Sequence, residues 1–180
     1  MARPYVITEG KLDAEILQRL LPATIAQNVI FVDGGGKYGA KSMASTLLVT
    51  RQRPVALVID ADTLDPAVLQ EQQDSARALL RQVSPGVPFE VFLAKPEIEE
   101  VFFQDQALVE RILQTTFTPR EWEYIQYDPK KLLAENSMPV QAILDQLSEA
   151  DIQLLREHSL IKEIGQFLAS VVAVDLTPKP

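Results

Sequence analysis

The 180-residue sequence contains no cysteine and a single histidine. Without cysteine there are no disulfides, thiolate zinc sites, iron–sulfur clusters or cysteine nucleophiles. One histidine excludes multi-histidine metal sites and leaves Ser-His-Asp chemistry one candidate base. No apolar run approaches the roughly 18–20 residues that a membrane span needs. The opening Met-Ala-Arg-Pro-Tyr is not followed by the apolar core of a secretory signal. These absences predict a cytoplasmic protein with no membrane association. Any catalysis must rest on carboxylates, lysines and hydroxyls.

What is present is a foldable chain, 47% hydrophobic and 23% charged, with enough apolar residues for a real core. Its formal charge of −8, from 17 basic and 25 acidic residues, argues at first against nucleic acid, whose ligands usually carry a basic excess. The distribution softens that. Residues 1–90 hold 9 Lys+Arg and 10 Asp+Glu, whereas residues 91–180 hold 8 and 15. The acidity belongs to the second half, which is expected to face solvent or a protein.

The first half alternates strand and helix signals. Tyr5–Thr8, Asn28–Val32, Val55–Ile59 and Phe89–Leu93 read as strands. Lys11–Leu21, Ala40–Arg51 and a segment from Pro66 to about Val83 read as helices, the last with Asp65 as N-cap and Pro66 at its first position. The continuous apolar run Val55-Ala-Leu-Val-Ile59 suits a strand buried on both faces. The alternation predicts an α/β fold with about four parallel strands, helices on both faces and right-handed crossovers. The second half reads as helical: Ile98–Phe103, Gln106–Thr115, Pro119–Gln126, Val140–Leu147 and Glu149–Val174. The expected division is a core over 1–96 and a helical extension over 97–176 packed on it, with a loose tail at 177–180.

Ligands of parallel sheets gather at the carboxyl ends of the strands, and three features fall there. Glu9 follows the first strand, with Asp13 four residues on. Asp33-Gly34-Gly35-Gly36-Lys37 follows the second, where glycines allow backbone amides to approach a phosphate. Asp60-Ala-Asp62 follows the third, and alternation puts both carboxylates on one side if strand geometry persists. Each feature alone has an ordinary explanation in helix capping or turn formation. Together, four unpaired carboxylates would repel one another, and divalent cations with hard-oxygen preference, Mg²⁺ or Mn²⁺, would relieve that. Two such ions can stabilise the attacking and leaving oxygens of a phosphodiester displacement.

The series Val6-Ile-Thr-Glu9-Gly10-Lys-Leu-Asp13, Asp33-Gly-Gly-Gly36 and Val58-Ile-Asp60-Ala-Asp62 resembles the Toprim domain of topoisomerases, primases and OLD-family nucleases. The Glu-Gly-x-x-Asp form looks most like the OLD type. The resemblance implies a Toprim, Rossmann-like fold and Mg²⁺-dependent nuclease activity on DNA or RNA. It implies one metal at Glu9 and Asp13 and another at Asp60 and Asp62, with Glu9 and Asp60 as catalytic carboxylates. Pro96-Glu-Ile-Glu99 is similar to a Pro-x-x-Glu segment of Toprim relatives and nominates Glu99 as a further ligand. The late basic residue that OLD nucleases use against the pentacovalent phosphate is matched in order by Lys162, near His158.

Two other classes stay open. Gly35-Gly-Lys-Tyr-Gly-Ala40-Lys41-Ser42 is one residue short of a phosphate-binding P-loop, with Ala40 where the second glycine belongs. A nucleotide-binding protein is therefore an alternative, although it leaves Glu9, Asp13 and Asp62 without a role. In either class Gly34, Gly35, Gly36, Lys37 and Lys41 are candidate phosphate-binding residues. The third class is a catalytically silent Toprim module whose helical extension binds a protein partner or a second copy. Phe102, Phe103, Trp122, Tyr124 and Tyr127 are expected to build the core of that extension.

Overall fold

The four strands form one parallel sheet in the computed structural model, which describes residues 3–84 and 86–174, the side chains of 173 and 174 excepted. Residues 175 and 176 of the expected extension and the tail at 177–180 lie outside the described residues. The strands are β1 (Tyr5–Thr8), β2 (Ile30–Asp33), β3 (Val55–Asp60) and β4 (Phe89–Ala94), in the spatial order β2-β1-β3-β4. Register pairs Thr8 with Asp33, and Asp60 with Ala94. The carboxyl ends of all four strands therefore share one edge.

The central strands β1 and β3 are buried along their whole length, as their unbroken apolar sequences require. Their side chains alternate between two layers. Tyr5, Ile7, Val55, Leu57 and Ile59 pack with Ala40, Ala44 and Leu48 of α3 (Lys37–Arg51) and Ala76 and Leu80 of α4 (Pro66–Val83). Val6, Ala56 and Val58 pack on the other face against Ile16, Leu17 and Leu20 of α1 (Lys11–Leu20), which is followed by the short α2 (Ala23–Ala26). That same apolar cluster continues through the second half to Leu168.

The second half runs through a 3₁₀ helix at Ile98–Gln104, α5 (Gln106–Leu113), α6 (Pro119–Ile125), α7 (Pro129–Glu135), α8 (Val140–Gln146), α9 (Glu149–Leu155) and α10 (Ser159–Val174). Short-range signals set many of the starts. Asp65 accepts from the amide of Ala67 ahead of α4, and Thr118–Glu121 and Ser148–Asp151 form capping boxes.

Three expectations change. The predicted helix over Glu149–Val174 is two helices, α9 and α10, broken at Arg156–His158. There the Arg156 guanidinium turns inward to the carbonyl of Leu20, and His158 Nδ1 accepts from the amide of Leu160. Like the short α2, helix α7 is additional. Its start is the same signal that opens α4: Asp128 caps the amide of Lys131, and Pro129 takes the first position. Finally, Phe102 and Phe103 are core and Trp122 packs near Phe103 and Phe117, but Tyr124 and Tyr127 are 72% and 61% exposed. The seven-residue α6 turns Trp122 toward the core and Tyr124 outward, and Tyr127 lies beyond its end.

Candidate functional site

Asp60, the last residue of β3, is the hub of the carboxyl edge. Its backbone amide donates to Glu9 Oε1 at 2.9 Å, and its Oδ1 accepts from the amide of Ile98 at 2.9 Å. Its Oδ2 meets the Lys130 ammonium at 2.5 Å. Three chain segments distant in sequence are thereby tied to one residue, Glu9 through the Asp60 amide, and Ile98 and Lys130 through its buried carboxylate. Glu9 leaves the end of β1 beside β3, which is why it reaches the Asp60 amide. Asp13 lies in the first turn of α1, where its Oδ2 accepts from the amide of Gly10 at 2.9 Å.

Burial pushes the Glu9 carboxyl above the ordinary carboxylate range, against the lowering effect of the Asp60 amide, and the Asp60 charge adds to the rise. Asp13 is raised by burial and by the same Asp60 charge. Glu9 and Asp13 thus belong to one electrostatic cluster with Asp60.

Glu97 and Glu99 enter from the segment after β4. The Lys130 ammonium lies 3.6 Å from Glu97 Oε2 and 3.6 Å from Glu99 Oε2. Both oxygens are buried and have no hydrogen-bond partner. Burial pushes Glu99 up to about 7, against the pull of Lys130, and raises Glu97 for the same reason. Burial works against the Lys130 ammonium, but its hydrogen bond to Asp60 and the charges of Glu99, Asp60 and Glu97 outweigh that and hold its pKa above the ordinary lysine value.

Asp62 is differently placed. The strand ends at Asp60, and Asp62 adopts φ 55°, so alternation along a strand does not carry its side chain beside that of Asp60. Its carboxylate is largely exposed and pairs with Lys37 Nζ at 2.5 Å. The glycine loop also departs from expectation. The amide of Gly34 donates to Thr8 O, that of Gly35 to Asp33 Oδ1 and that of Gly36 to Glu9 O. The three amides expected to approach a phosphate are taken up by Asp33 and by carbonyls at the end of β1. Helix α3 begins at Lys37, so Lys41 and Ser42 lie in its second turn. A P-loop would need residues 37–40 as open loop with Lys41 and Ser42 opening the helix, so the nucleotide-binding alternative loses its loop.

Lys162 Nζ pairs with Glu157 Oε2 at 2.6 Å, and His158 Nε2 lies 2.7 Å from Glu100 Oε2. Both tie α10 to its surroundings. The lysine that meets the strand-end carboxylates is Lys130, which sequence order did not nominate. The Asp128-Pro129 helix start could have revealed its helix, but no local signal directs its side chain to Asp60.

No protein-family model and no curated protein matches the sequence. A solved structure does match. The chain is similar to the C-terminal region of the Xanthomonas campestris pv. campestris OLD protein, with a TM-score of 0.54 over 97% of this chain and 98% of that one, at 12% identity. The fold is OLD-related. The OLD-like α/β fold therefore takes in the helices after β4 as well as the sheet, so Glu97, Glu99 and Lys130 lie within the matched architecture. No described helix is long and apolar enough to cross a membrane.

Among the described residues, no group of three or more His, Asp or Glu forms a ready cation cage. The Lys130 ammonium stands between Asp60, Glu97 and Glu99 at 2.5–3.6 Å. The donor set nonetheless suits a hard divalent ion, being all carboxylate with two buried oxygens lacking donors.

Proposed function

We propose that this chain performs metal-dependent phosphodiester cleavage on nucleic acid, as a Toprim domain of the OLD type. The observation that carries the reading is the convergence on Asp60 of Glu9 from the β1 end and of Lys130 from α7, in a fold shared with an OLD C-terminal region. Glu9, Asp13, Asp60, Asp62 and Glu99 would hold Mg²⁺ or Mn²⁺, with Glu97 added to that set by its position. Such an ion would supply an activated water and charge neutralisation at the phosphate.

The chain's own residues have separable tasks. The Asp60 amide orients Glu9, and the Ile98 amide orients Asp60. Preorientation of this kind lowers the reorganisation needed at the moment of reaction. Lys130 takes over the role that sequence order suggested for Lys162, an ammonium available to a phosphate's growing negative charge. Lys37, beside Asp62, is a second cation at the same edge.

The test is incubation of the purified protein with plasmid, single-stranded DNA and RNA in Mg²⁺, Mn²⁺ or EDTA. Cutting is expected with metal and not with EDTA, and Glu9→Ala and Asp60→Ala should abolish it. If no substrate is cut under any metal, the nuclease reading fails.

A further inference from the structure

Lys130 is an incomplete counter-ion. Three carboxylates, Asp60, Glu97 and Glu99, surround one ammonium. Only the Asp60 contact, at 2.5 Å, is a hydrogen bond. Glu97 Oε2 and Glu99 Oε2 are left buried without a donor, although the Glu99 side chain is only 6% exposed. Buried polar atoms are normally satisfied, and an orphan costs roughly 1–3 kcal/mol. A permanent structural ion pair would be expected to satisfy them. This arrangement brings one positive charge to three negative ones and leaves two oxygens pointing at a cation too far away to bond.

The lysine is also free to leave. Its side chain is 46% exposed, whereas those of Asp60 and Glu99 are 8% and 6% exposed. It projects from α7, a seven-residue helix anchored by Pro129 and Leu133. Rotation about its side-chain bonds would carry the ammonium into water without disturbing those anchors, whereas the carboxylates cannot follow.

We infer that Lys130 is a displaceable internal cation: it fills the metal position among Asp60, Glu97 and Glu99 in the metal-free chain, and a divalent ion enters only by expelling it. The inference rests on the metal-dependent reading of this site. The exchange needs no proton from Lys130. A charged ammonium moves to solvent, and a dication takes its place among the carboxylates. The consequence is a threshold: the chain holds its own inhibitor, and the apparent metal affinity is reduced by the fraction of molecules in which Lys130 occupies the position.

Two measurements on the full chain test this at fixed pH. In the first, metal-stripped wild type, Lys130→Met and Lys131→Met are titrated with Mg²⁺ and Mn²⁺ by calorimetry. Lys130→Met is expected to bind about tenfold more tightly, as it would if Lys130 left the position free in about a tenth of wild-type molecules. Lys131→Met removes the same charge from the neighbouring exposed residue and is expected to stay within about twofold of wild type. Equal or weaker binding by Lys130→Met, or an equal gain in Lys131→Met, overturns the inference. In the second, wild-type lysines are labelled with an amine-reactive ester and mapped by mass spectrometry. Lys130 labelling should rise several-fold at saturating Mg²⁺ while Lys131 labelling stays constant. Unchanged or reduced Lys130 labelling overturns the inference even if Lys130→Met does not fold. If neither wild type nor Lys130→Met binds any divalent ion, the inference and the metal-dependent function fall together. Binding that ignores Lys130 sinks the inference alone.

Discussion

The Glu9 carboxylate accepts a hydrogen bond from the backbone amide of Asp60 at 2.9 Å, across 51 residues of sequence. This bond links the ends of the two central strands, so one side chain serves both the sheet edge and the candidate site. Glu9→Gln keeps an acceptor and removes the charge. It should retain wild-type stability while weakening divalent binding at least tenfold. Glu9→Ala leaves the Asp60 amide without its acceptor and should cost about 1–2 kcal/mol in urea denaturation. Equal stability of the two variants would show that the bond contributes nothing.

Stability without metal should depend on pH through Glu99. Its folded-state pKa, about 7, lies above the ordinary value of 4.5. The folded state therefore holds the proton more tightly than the unfolded chain between those values. Stability from this group is greatest below pH 4.5 and declines as pH rises toward 7, by up to about 3 kcal/mol. Glu9, Asp13 and Glu97 are raised as well and act in the same sense. In EDTA, thermal melts of Glu99→Gln should gain on wild type as pH increases from 5 to 7.5. A constant difference across that range would contradict the burial of a charged Glu99.

Lys130 and Lys162 are predicted to separate in a nuclease assay. Lys130→Ala should reduce cleavage by at least tenfold at saturating metal. Lys162→Ala should leave it within about twofold, because its partner is Glu157 in the break between α9 and α10. The reverse ranking would restore the order-based assignment.

The glycine turn is predicted to be structural, through two different constraints. A Cβ on Gly39 would strike the carbonyl of Gly34, backbone against backbone. Gly39→Ala should therefore destabilise by more than about 2 kcal/mol. At Gly35 a Cβ meets no neighbour, but φ is +69°, so Gly35→Ala should cost only about 1 kcal/mol. Chemical denaturation of both variants checks the order.

Much of the sheet was readable from local pattern. Tyr5–Thr8 as a strand and Pro66–Val83 as a helix were placed at their observed bounds, because an apolar run and an Asp-Pro cap are strong short-range signals. The acids at the strand ends were readable for the same reason, since a parallel sheet delivers its carboxyl ends to one edge. Asp62 was misplaced because the period-two rule stops with the strand, and its backbone turns left-handed two residues after Asp60. Tyr124 and Tyr127 were misplaced because burial in and just beyond a short helix depends on what packs against it.

The sequence by itself determined the chemistry that is possible. With no cysteine and one histidine, carboxylates and lysines are what remain, and the alternation of strands and helices sends Glu9 and Asp60 to the same edge of a parallel sheet. Tertiary structure decided which lysine meets them. Lys130 reaches Asp60 across 70 residues, a contact made by the packing of α7 beside the 3₁₀ helix and not by any spacing in the chain. It also drew Glu97, Glu99 and Lys130 of the acidic half to the strand-end edge. Periodicity reports which face of an element is buried, whereas long-range pairing depends on how the buried faces of separate elements pack together.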